Sequence, residues 1–336
     1  GSMRIMMTSI LCHTGLMTHV YDLADYLRGK GLFVAIAYKR VNYLSIDAKE
    51  KLLAKHSDIP YLFYDTRQEL EKFGEDMNCD LMHAHSHTTF DAASAISEAL
   101  NIPLVITLHS VFPWQRIFSS ALQAADKIVA VGPAQALSAP KFATKIEVIP
   151  NGIDLQKFVP STEPIADKGS INILWYGRVD GRLSRGLSAL DRLVPLLPQN
   201  IEIRALGSAD FIPRNIKLKP WTNNPLRDLQ ETQITFGQSR SLREAMACGS
   251  IGMLLASGYG GLVTEEWLKQ GRAVDAFPEY RLVRPRPRVL LQDILTLVNQ
   301  PHIGELRQDA RRLAEKYFSI EDMGRKTLDI YEMVLA

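Results

Sequence analysis

The sequence has few cysteines, and they do not form the patterns seen in disulfide-bonded or zinc-binding proteins. The three, Cys12, Cys79 and Cys248, stand far apart, and no Cys-x-x-Cys occurs. Disulfide frameworks and cysteine-based zinc sites need closely spaced sets of cysteines. Neither is expected here, and the pattern favours a reducing cytoplasm.

Long apolar runs and an excess of one charge are missing as well. No apolar run approaches the roughly 18 residues of a membrane-spanning helix, and no secretion signal is recognisable. The formal net charge is only +2, which is too small to indicate a nucleic-acid partner. We expect a protein of the cytoplasm or of the inner face of the membrane. Peripheral membrane contact and the oligomeric state stay open.

Apolar segments of strand length alternate with amphipathic helical segments in both halves of the 336 residues. The first half contains RIMMTSI, LFVAIAY, DLMHAH, PLVITLH, KIVAVG and KIEVIP, and the second contains INILWYG, IEIRALG, ITFG, IGMLLAS and AVDAF. Nearly continuous apolar strands separated by helices are typical of parallel sheets covered on both faces.

The alternation is interrupted at residues 150–170, which are rich in Pro, Gly, Asp and Ser and have a linker composition. The sequence therefore predicts an α/β protein with two Rossmann-like doubly wound domains facing across a cleft. We expect the domains at 3–150 and 151–319, with a terminal helix over 320–336 that packs back on the first domain.

The stretch SLREAMACGSIG, residues 241–252, follows a predicted strand and a glycine turn. We expect a helix from Arg240 to Cys248, with the backbone amides of Gly237, Gln238 and Ser239 pointing outward unpaired. Such a helix start favours an anion, commonly phosphate, and Glu244 one turn further could accept a hydrogen bond from a ribose hydroxyl. Alternatively, Glu244 caps its own helix and the small residues only pack.

IEVIPNGIDLQKF, then YGR, an Arg-Gly pair and EAMACG occur in this order. Together they resemble glycosyltransferase family 4 of the GT-B fold, over nearly the whole chain. The resemblance implies transfer of a hexosyl or N-acetylhexosaminyl group from a nucleotide diphosphate donor to a hydroxyl acceptor, with retention of configuration. The acceptor would be a glycan, a lipid-linked molecule or a small molecule. UDP is the commonest donor nucleotide in such families, and no metal or other cofactor is expected. The absence of Asp-x-Asp argues against metal-dependent transferases of the other main fold.

The resemblance also implies functions for single residues. His109 matches the histidine that touches the donor sugar, and Gly15 matches a glycine that approaches the donor phosphates. Arg178 matches the arginine that holds the diphosphate. Arg185 stands where the family has a lysine, and Arg182 is a rival for that role.

One family position departs from the pattern. Phe236 occupies the place of an acid that normally helps to bind the donor sugar, eight residues before Glu244. The backbone amides of Gly260 and Gly261 could serve the sugar instead, or this Gly-rich stretch is a mobile surface loop. Glu266 would then lie near the ribose or the sugar.

Three histidines alternate in HAHSH, so His83, His85 and His87 share a face if the strand continues. Such a set could bind a metal, but we favour a cleft-lining role and expect no metal site. His85 and Asn151 are the residues we assign to the cleft and the acceptor.

Two other functions remain open from sequence. One is a nucleotide-sugar-binding protein of the same fold without transferase activity, which is suggested by Phe236 in place of the acid. The other is a GT-B epimerase, which would need an acid/base pair. A nicotinamide dehydrogenase is disfavoured because no Gly-x-Gly-x-x-Gly follows the first strand.

Overall fold

The chain folds into two α/β units in a computed structural model, which describes residues 2–163, 169–177, 184–207, 213–219, 224–275 and 280–336. The N-terminal unit comprises Gly1–Asn151 together with Ile320–Ala336, and the C-terminal unit comprises Gly152–Ser319. The sequence-predicted boundary lay after residue 150, with residues 320–336 assigned to the first domain.

The N-terminal unit is built on a seven-stranded parallel sheet in the order β3-β2-β1-β4-β5-β6-β7. Its strands are β1 (Arg4–Ser9), β2 (Phe33–Lys39), β3 (Tyr61–Tyr64), β4 (Leu81–Ala84), β5 (Leu104–Leu108), β6 (Lys127–Ala130) and β7 (Ile146–Val148). β4 and β5 are fully buried, as expected of central strands covered on both faces. Because all strands run the same way, their carboxyl ends meet at one edge of the sheet.

Helices cover both faces of this sheet. They are α1 (Gly15–Gly29), α2 (Ile46–Lys55), α3 (Arg67–Asp76), α4 (Phe90–Leu100), α5 (Trp114–Ile117), α6 (Ser119–Ala124), α7 (Pro133–Leu137) and the terminal α14 (Ile320–Leu335). α1 turns Val20, Leu23 and Leu27 into the core, at the spacing that predicts an amphipathic helix. α14 packs near α1 at Gly324, where an added Cβ would lie 2.2 Å from the Tyr26 ring.

The C-terminal unit has a six-stranded sheet in the order β10-β9-β8-β11-β12-β13. Its strands are β8 (Ile171–Tyr176), β9 (Ile201–Leu206), β10 (Lys217–Lys219), β11 (Ile234–Gly237), β12 (Ile251–Leu255) and β13 (Tyr259–Leu262). β13 pairs antiparallel with β12, and the other pairs are parallel. Its helices are α8 (Ser184–Leu193), α9 (Leu226–Gln230), α10 (Ser239–Ala247), α11 (Glu265–Lys269), α12 (Pro287–Val298) and α13 (Ile303–Tyr317).

The predicted α/β class with two mainly parallel sheets is confirmed, but some strand predictions are wrong. The described part of AVDAF, residues 273–275, forms no strand. The sheet instead adds β13, where the sequence suggested a Gly-rich loop. β3 and β10 were not predicted. Glycine in a strand provides no side chain to reveal the β pattern, which is why β13 escaped detection.

Arginines of α13 tie the C-terminal unit together through backbone carbonyls. Arg311 donates to the carbonyls of Leu155, Phe158 and Ala247 at 2.6–3.1 Å. The Ala247 carbonyl belongs to the last turn of α10, where helix carbonyls lack partners within the helix. Arg311 therefore holds the C-terminal end of α10 against the segment that enters the unit.

Candidate functional site

Histidine rings gather at the carboxyl edge of the N-terminal sheet. His85 directly follows β4 and His109 directly follows β5, and these two strands are neighbours in the sheet. α1 adds His19, whose ring centroid lies 4.6 Å from that of His109 and 5.5 Å from that of His85. We call His19, His85 and His109 the histidine cluster.

Hydrogen bonds orient the members of the cluster. His85 Nδ1 lies 3.2 Å from His109 Nε2, and His19 Nδ1 lies 2.8 Å from Asn151 Oδ1. An amide oxygen only accepts hydrogen bonds, so His19 Nδ1 is the donor. When the His19 ring is neutral, Nδ1 therefore carries the proton and Nε2 is the nitrogen that can accept a hydrogen bond.

His83 lies beneath the cluster, with its ring 4.0 Å from that of His85. Both of its nitrogens are engaged within the N-terminal unit, by the Tyr331 hydroxyl on α14 and by Thr107 Oγ1 at 2.6 Å. His83 therefore serves as a buried support for His85. His87 is exposed and stacks on Phe112 instead, so the three histidines of HAHSH do not act as one set.

Burial keeps these rings neutral. It lowers the pKa of His83 to about 3, because a charged ring in this buried place would lack hydration. The nearby His19 would also repel that charge. Burial, and then the neighbouring histidines, also hold the pKa values of His85 and His109 well below their usual range. His109 keeps part of its surface exposed, so the cluster offers a neutral imidazole that a ligand can reach.

The cluster is not fully satisfied by the protein. His85 Nε2 is buried and has no hydrogen-bond partner. A buried polar atom left without a partner costs about 1–3 kcal/mol, and such atoms are often found where a ligand or water completes the network.

The start of α1 adjoins the histidine cluster. Gly15 is the first residue of the helix, is exposed, and has open space where a Cβ would stand. The Thr14 side chain does not cap the helix, and none of the first-turn residues is acidic. The positive end of the helix dipole is therefore available to an anion. His19 lies four residues further, or about 6 Å along the axis.

The turn from β11 into α10 differs from the sequence prediction. The Ser239 amide donates to the Val274 carbonyl at 2.5 Å, so the expectation that it points outward unpaired is wrong. Ser239 has a φ of +57°, a left-handed conformation that non-glycine residues rarely adopt. Gly237 belongs to β11, and a Cβ there would lie 2.6 Å from the Tyr176 carbonyl oxygen. Gln238 is the N-cap residue of α10, and its side chain makes no capping hydrogen bond.

Glu244 is buried in the middle of α10 rather than at its start, so the alternative that it caps the helix is wrong. Its carboxylate accepts from the Tyr176 hydroxyl at 2.7 Å and pairs with Arg240 at 2.9 Å. Burial raises the pKa of Glu244, although Arg240 and the Tyr176 hydrogen bond act in the opposite direction. We call Tyr176, Arg240 and Glu244 the Glu244 network.

The remaining predicted residues lie apart from these two groups or outside the described residues. Arg178 and its rival Arg182 are outside the described ranges. Arg185 is exposed in the first turn of α8. The glycine beside it packs closely, because a Cβ on Gly186 would lie 2.5 Å from the Ala256 carbonyl oxygen.

The Gly-rich segment is part of the C-terminal sheet. Gly260 and Gly261 lie in β13, and a Cβ on Gly260 would meet the Leu254 side chain at 2.8 Å. Glu266 is exposed on α11, where it accepts from Gln270 Nε2 at 3.3 Å. The mobile-loop interpretation is therefore wrong, and close packing explains Gly260.

Phe236 is fully buried among apolar residues of the C-terminal core, including Trp175 and Met253. In this chain the position eight residues before Glu244 is therefore a core position. A carboxylate there would be taken out of water, which is costly unless a cation pairs with it.

Sequence reasoning missed His19. The signal that could have identified it is its place one turn after Gly15, on the helix that begins at the carboxyl end of β1. In the described residues the ligand nitrogens of His19, His85 and His109 lie within 4.8 Å of one another, an arrangement that could hold a metal ion. No helix in the described part of the chain is long and apolar enough to cross a membrane.

Comparison with known proteins agrees with this architecture. The sequence model of Glycosyltransferase Family 4 matches residues 13–157. No curated protein matches the chain by sequence.

Solved structures match the whole fold at low identity. The Anabaena HepE complex with UDP-glucose has a TM-score of 0.73 at 15% identity, over 98% of this chain and 100% of that one. A Rickettsia africae glycosyltransferase has a TM-score of 0.77 at 16% identity, over 99% of each chain. A putative UDP-N-acetylglucosamine 2-epimerase from Listeria monocytogenes has a TM-score of 0.61 at 14% identity, over 98% of this chain and 95% of that one. The chain thus has the GT-B fold, and its residues 13–157 are similar to Glycosyltransferase Family 4.

Proposed function

We propose that the protein is a retaining glycosyltransferase that moves a hexosyl or N-acetylhexosaminyl group from a nucleotide diphosphate sugar to a hydroxyl acceptor in the cytoplasm. The observation that carries the proposal is the neutral, partly exposed His109 at the carboxyl end of β5, beside the start of α1. The family 4 match over residues 13–157 supports it, because it covers both elements.

The start of α1 and His109 suit the two halves of a nucleotide diphosphate sugar. The uncapped, acid-free first turn at Gly15 favours phosphate through its backbone amides and dipole. A neutral imidazole about one helical turn away can exchange hydrogen bonds with sugar hydroxyls and carries no charge that would repel a developing oxocarbenium ion. UDP is our first choice of nucleotide, since HepE is known in complexes with UDP and UDP-glucose.

Residues of the C-terminal unit would hold the nucleotide. By resemblance, Arg178 and Arg185 neutralise the diphosphate, and Arg–phosphate pairs are among the stronger hydrogen bonds in proteins. Glu244 would accept from the ribose, because each carboxylate oxygen can accept more than one hydrogen bond. Of the three amides first assigned to the phosphate, Ser239 is excluded by its bond to Val274, and the assignment of Gly237 and Gln238 stays a prediction. Gly260, Gly261 and Glu266 would contribute sugar contacts only if β13 and α11 rearranged.

The chemistry requires stabilisation of the negative charge that develops on the leaving diphosphate. Preorganised donors in a dry site do this best, and removal of one typically costs about 10²–10³ in rate. The arginines and the helix start supply those donors, so we propose a metal-independent reaction with no further cofactor. His85 and Asn151 would orient the acceptor hydroxyl, and the donor phosphate would take its proton.

A second candidate function is epimerisation of a nucleotide sugar. The close pair of neutral imidazoles, with His85 Nδ1 and His109 Nε2 3.2 Å apart, offers an acid/base pair, and a putative UDP-N-acetylglucosamine 2-epimerase has a similar fold. The third candidate is a nucleotide-sugar-binding protein without catalytic turnover. It is suggested by Phe236, which stands where the family has an acidic residue.

A thermal-shift screen with UDP, GDP, ADP, TDP and their sugar conjugates tests the nucleotide site. A ligand at 100 times its Kd stabilises by about 2.7 kcal/mol, which raises Tm by several degrees. We expect one nucleotide to stabilise the wild-type protein and to have little effect on Arg178→Ala. No shift from any nucleotide would contradict the proposal.

The stabilising conjugate then separates the candidate functions. Chromatography of the sugar products, with and without a panel of hydroxyl acceptors, distinguishes a new glycoside from a free epimer and from no reaction. The anomeric configuration of the glycoside, read by NMR, tests retention.

A further inference from the structure

Arginine recurs at every second position of RPRPR, residues 284–288, where the chain enters α12. Arg284, Arg286 and Arg288 are exposed, and Pro285 between the first two is buried. Arg286 has extended backbone, with a φ of −115° and a ψ of 131°. Because side chains alternate in direction along an extended segment, the arginines face outward together.

Backbone contacts hold this segment against the edge of the C-terminal sheet. The Tyr259 amide of β13 donates to the Val283 carbonyl at 2.7 Å, and the two residues form an antiparallel bridge. On the other side of the segment, α12 begins at Pro287 and buries Leu290 in the core of the unit. The arginines therefore stand on backbone that the sheet edge and α12 hold in place.

The unit does not neutralise the positive charge of this segment. Arg281 is exposed as well, and none of the four arginines forms a side-chain ion pair or hydrogen bond with another residue that the structure describes. Asp293, the first acid of α12, accepts from the Tyr259 hydroxyl at 2.6 Å instead. By contrast, the exposed Arg227 of the same unit pairs with Glu231.

Apolar side chains accompany the arginines on this surface. Val283 is 61% exposed and Val289 is 40% exposed. A groove of about 350 Å³ continues from Arg288 along α12, and Leu291 and Leu295 contribute to its lining. Segments that lie in a membrane interface combine basic residues at the headgroups with apolar residues at the acyl boundary.

We propose that residues 281–289, which we call the arginine surface, bind the surface of an anionic membrane. Guanidinium groups form paired hydrogen bonds with phosphate oxygens, so the headgroups of acidic lipids would give the four arginines their partners. The exposed valines favour lipid over nucleic acid. Proteins that bind single-stranded nucleic acid combine basic grooves with aromatic rings, and residues 281–289 contain no aromatic residue.

The expected strength follows from the number of charges. Each arginine near an anionic lipid surface strengthens binding about fivefold, and salt screens this attraction over about 10 Å at 0.1 M ionic strength. The loss of three arginines should therefore weaken binding about 100-fold. Docking needs no nucleotide, so it is tested separately from the proposed sugar transfer.

The test is co-sedimentation of the full chain with vesicles in the absence of nucleotide. We expect binding to vesicles of phosphatidylglycerol and phosphatidylcholine in equal parts, and none to phosphatidylcholine alone. A variant that combines Arg284→Gln, Arg286→Gln and Arg288→Gln should bind the anionic vesicles about 100-fold more weakly. Because these side chains are exposed, its Tm should equal that of the wild-type protein.

A matched control variant loses the same charge from elsewhere on the C-terminal unit. It combines Arg204→Gln, Arg227→Gln and Lys269→Gln, which are taken from exposed ion pairs. This variant should bind the anionic vesicles as the wild-type protein does, since net charge alone does not define the arginine surface.

An environment-sensitive fluorophore locates the contact on the molecule. Attached at Val283→Cys, it should shift its emission to shorter wavelength when anionic vesicles are added, whereas at Leu218→Cys it should not. Leu218 is 38% exposed and lies on β10, at the opposite edge of the sheet from β13. The three native cysteines are buried, so the introduced thiol is the accessible one.

Three results would overturn the proposal: equal binding to both kinds of vesicle, an equal loss of binding in the control variant, or unchanged emission at position 283. A single-stranded oligonucleotide that binds the wild-type protein but not the arginine variant, in the absence of vesicle binding, would also overturn it and would assign the arginine surface to nucleic acid.

Discussion

The histidine cluster and the Glu244 network are both buried and polar, but their own units satisfy them to different extents. The Glu244 carboxylate receives a hydroxyl and a guanidinium from its own unit. In the histidine cluster one nitrogen of His85 has no partner, and His109 reaches the surface. A network that its own unit completes can support the fold without a ligand, whereas an incomplete one indicates a place where a ligand acts.

Substitution in each group should therefore affect different properties, and the largest effect is expected at His109. His109→Gln should lower kcat for the proposed sugar transfer by about 10²–10³, because it removes the neutral imidazole that we propose contacts the donor sugar. Its Tm should stay within about 3 °C of the wild-type value, since the ring is partly exposed. Steady-state kinetics and a melting curve measure both. A His109→Gln variant with a much lower Tm but an unchanged kcat would show that His109 supports the fold and not the reaction.

Acid should affect the stability of the two units in opposite directions, through His83 beneath the histidine cluster and through Glu244. In the unfolded chain a histidine has a pKa near 6.5, and burial lowers the pKa of His83 to about 3. Between these values the unfolded state binds the proton and the folded state does not. The stability that His83 contributes is therefore complete above pH 6.5 and is lost as the pH falls, by about 2 kcal/mol at pH 5.

The pKa of Glu244 is raised by burial, so the folded C-terminal unit binds a proton more readily than the unfolded chain does. Its contribution to stability therefore increases as the pH falls through that raised pKa. Hydrogen exchange read by mass spectrometry at pH 5, 6 and 7 can follow the two units separately. We expect faster opening of β4 and β5 at pH 5 without a matching change in α10. Equal acid sensitivity of the two regions would contradict the assignment.

Removal of the cation from the Glu244 network should cost less than a fully buried pair would. Arg240→Met leaves the buried carboxylate without its ion pair, but the Arg240 side chain is 31% exposed, so solvent already screens the interaction. We expect a loss of about 1–2 kcal/mol in the free energy of unfolding in urea. The matched control is Arg227→Met, which breaks an exposed pair with Glu231 and should change stability little. Equal losses of unfolding free energy in Arg240→Met and Arg227→Met would show that the buried ion pair contributes no more stability than an exposed one.

The smallest effect is expected from the hydroxyl of the network. Tyr176→Phe removes one hydrogen bond to Glu244 and should cost about 1 kcal/mol, with kcat changed less than tenfold. The same urea and kinetic measurements apply. A loss of kcat as large as that of His109→Gln would mean that the Glu244 network takes part directly in the reaction.

Much of the fold could be predicted from local patterns, and the predictions failed where distant residues decide. The buried strands and α1 follow from apolar periodicity, and the positions of His85 and His109 at strand ends follow from the end of each apolar run. The bond between the Ser239 amide and the Val274 carbonyl joins residues 35 positions apart, which no local pattern reveals. His19 was missed because its closeness to His109 depends on how α1 packs against the sheet. β13 was missed because its glycines conceal a strand.

Phe236 is a second example of a residue whose environment could not be predicted from the local sequence. Alignment with the family motif suggests a missing acid, yet the side chain lies among apolar residues of the C-terminal core. Spacing along the chain identified the position but not the direction in which its side chain points.

The central claim is that His109 contacts the sugar of a nucleotide diphosphate donor, and isothermal titration of the wild-type protein and His109→Gln tests it most directly. The ligands are UDP and the UDP-sugar that stabilises the wild-type protein most. The account predicts equal affinity of both proteins for UDP and a weaker affinity of His109→Gln for the UDP-sugar. Identical binding of the UDP-sugar by both proteins, or no binding of any nucleotide by the wild-type protein, would contradict it.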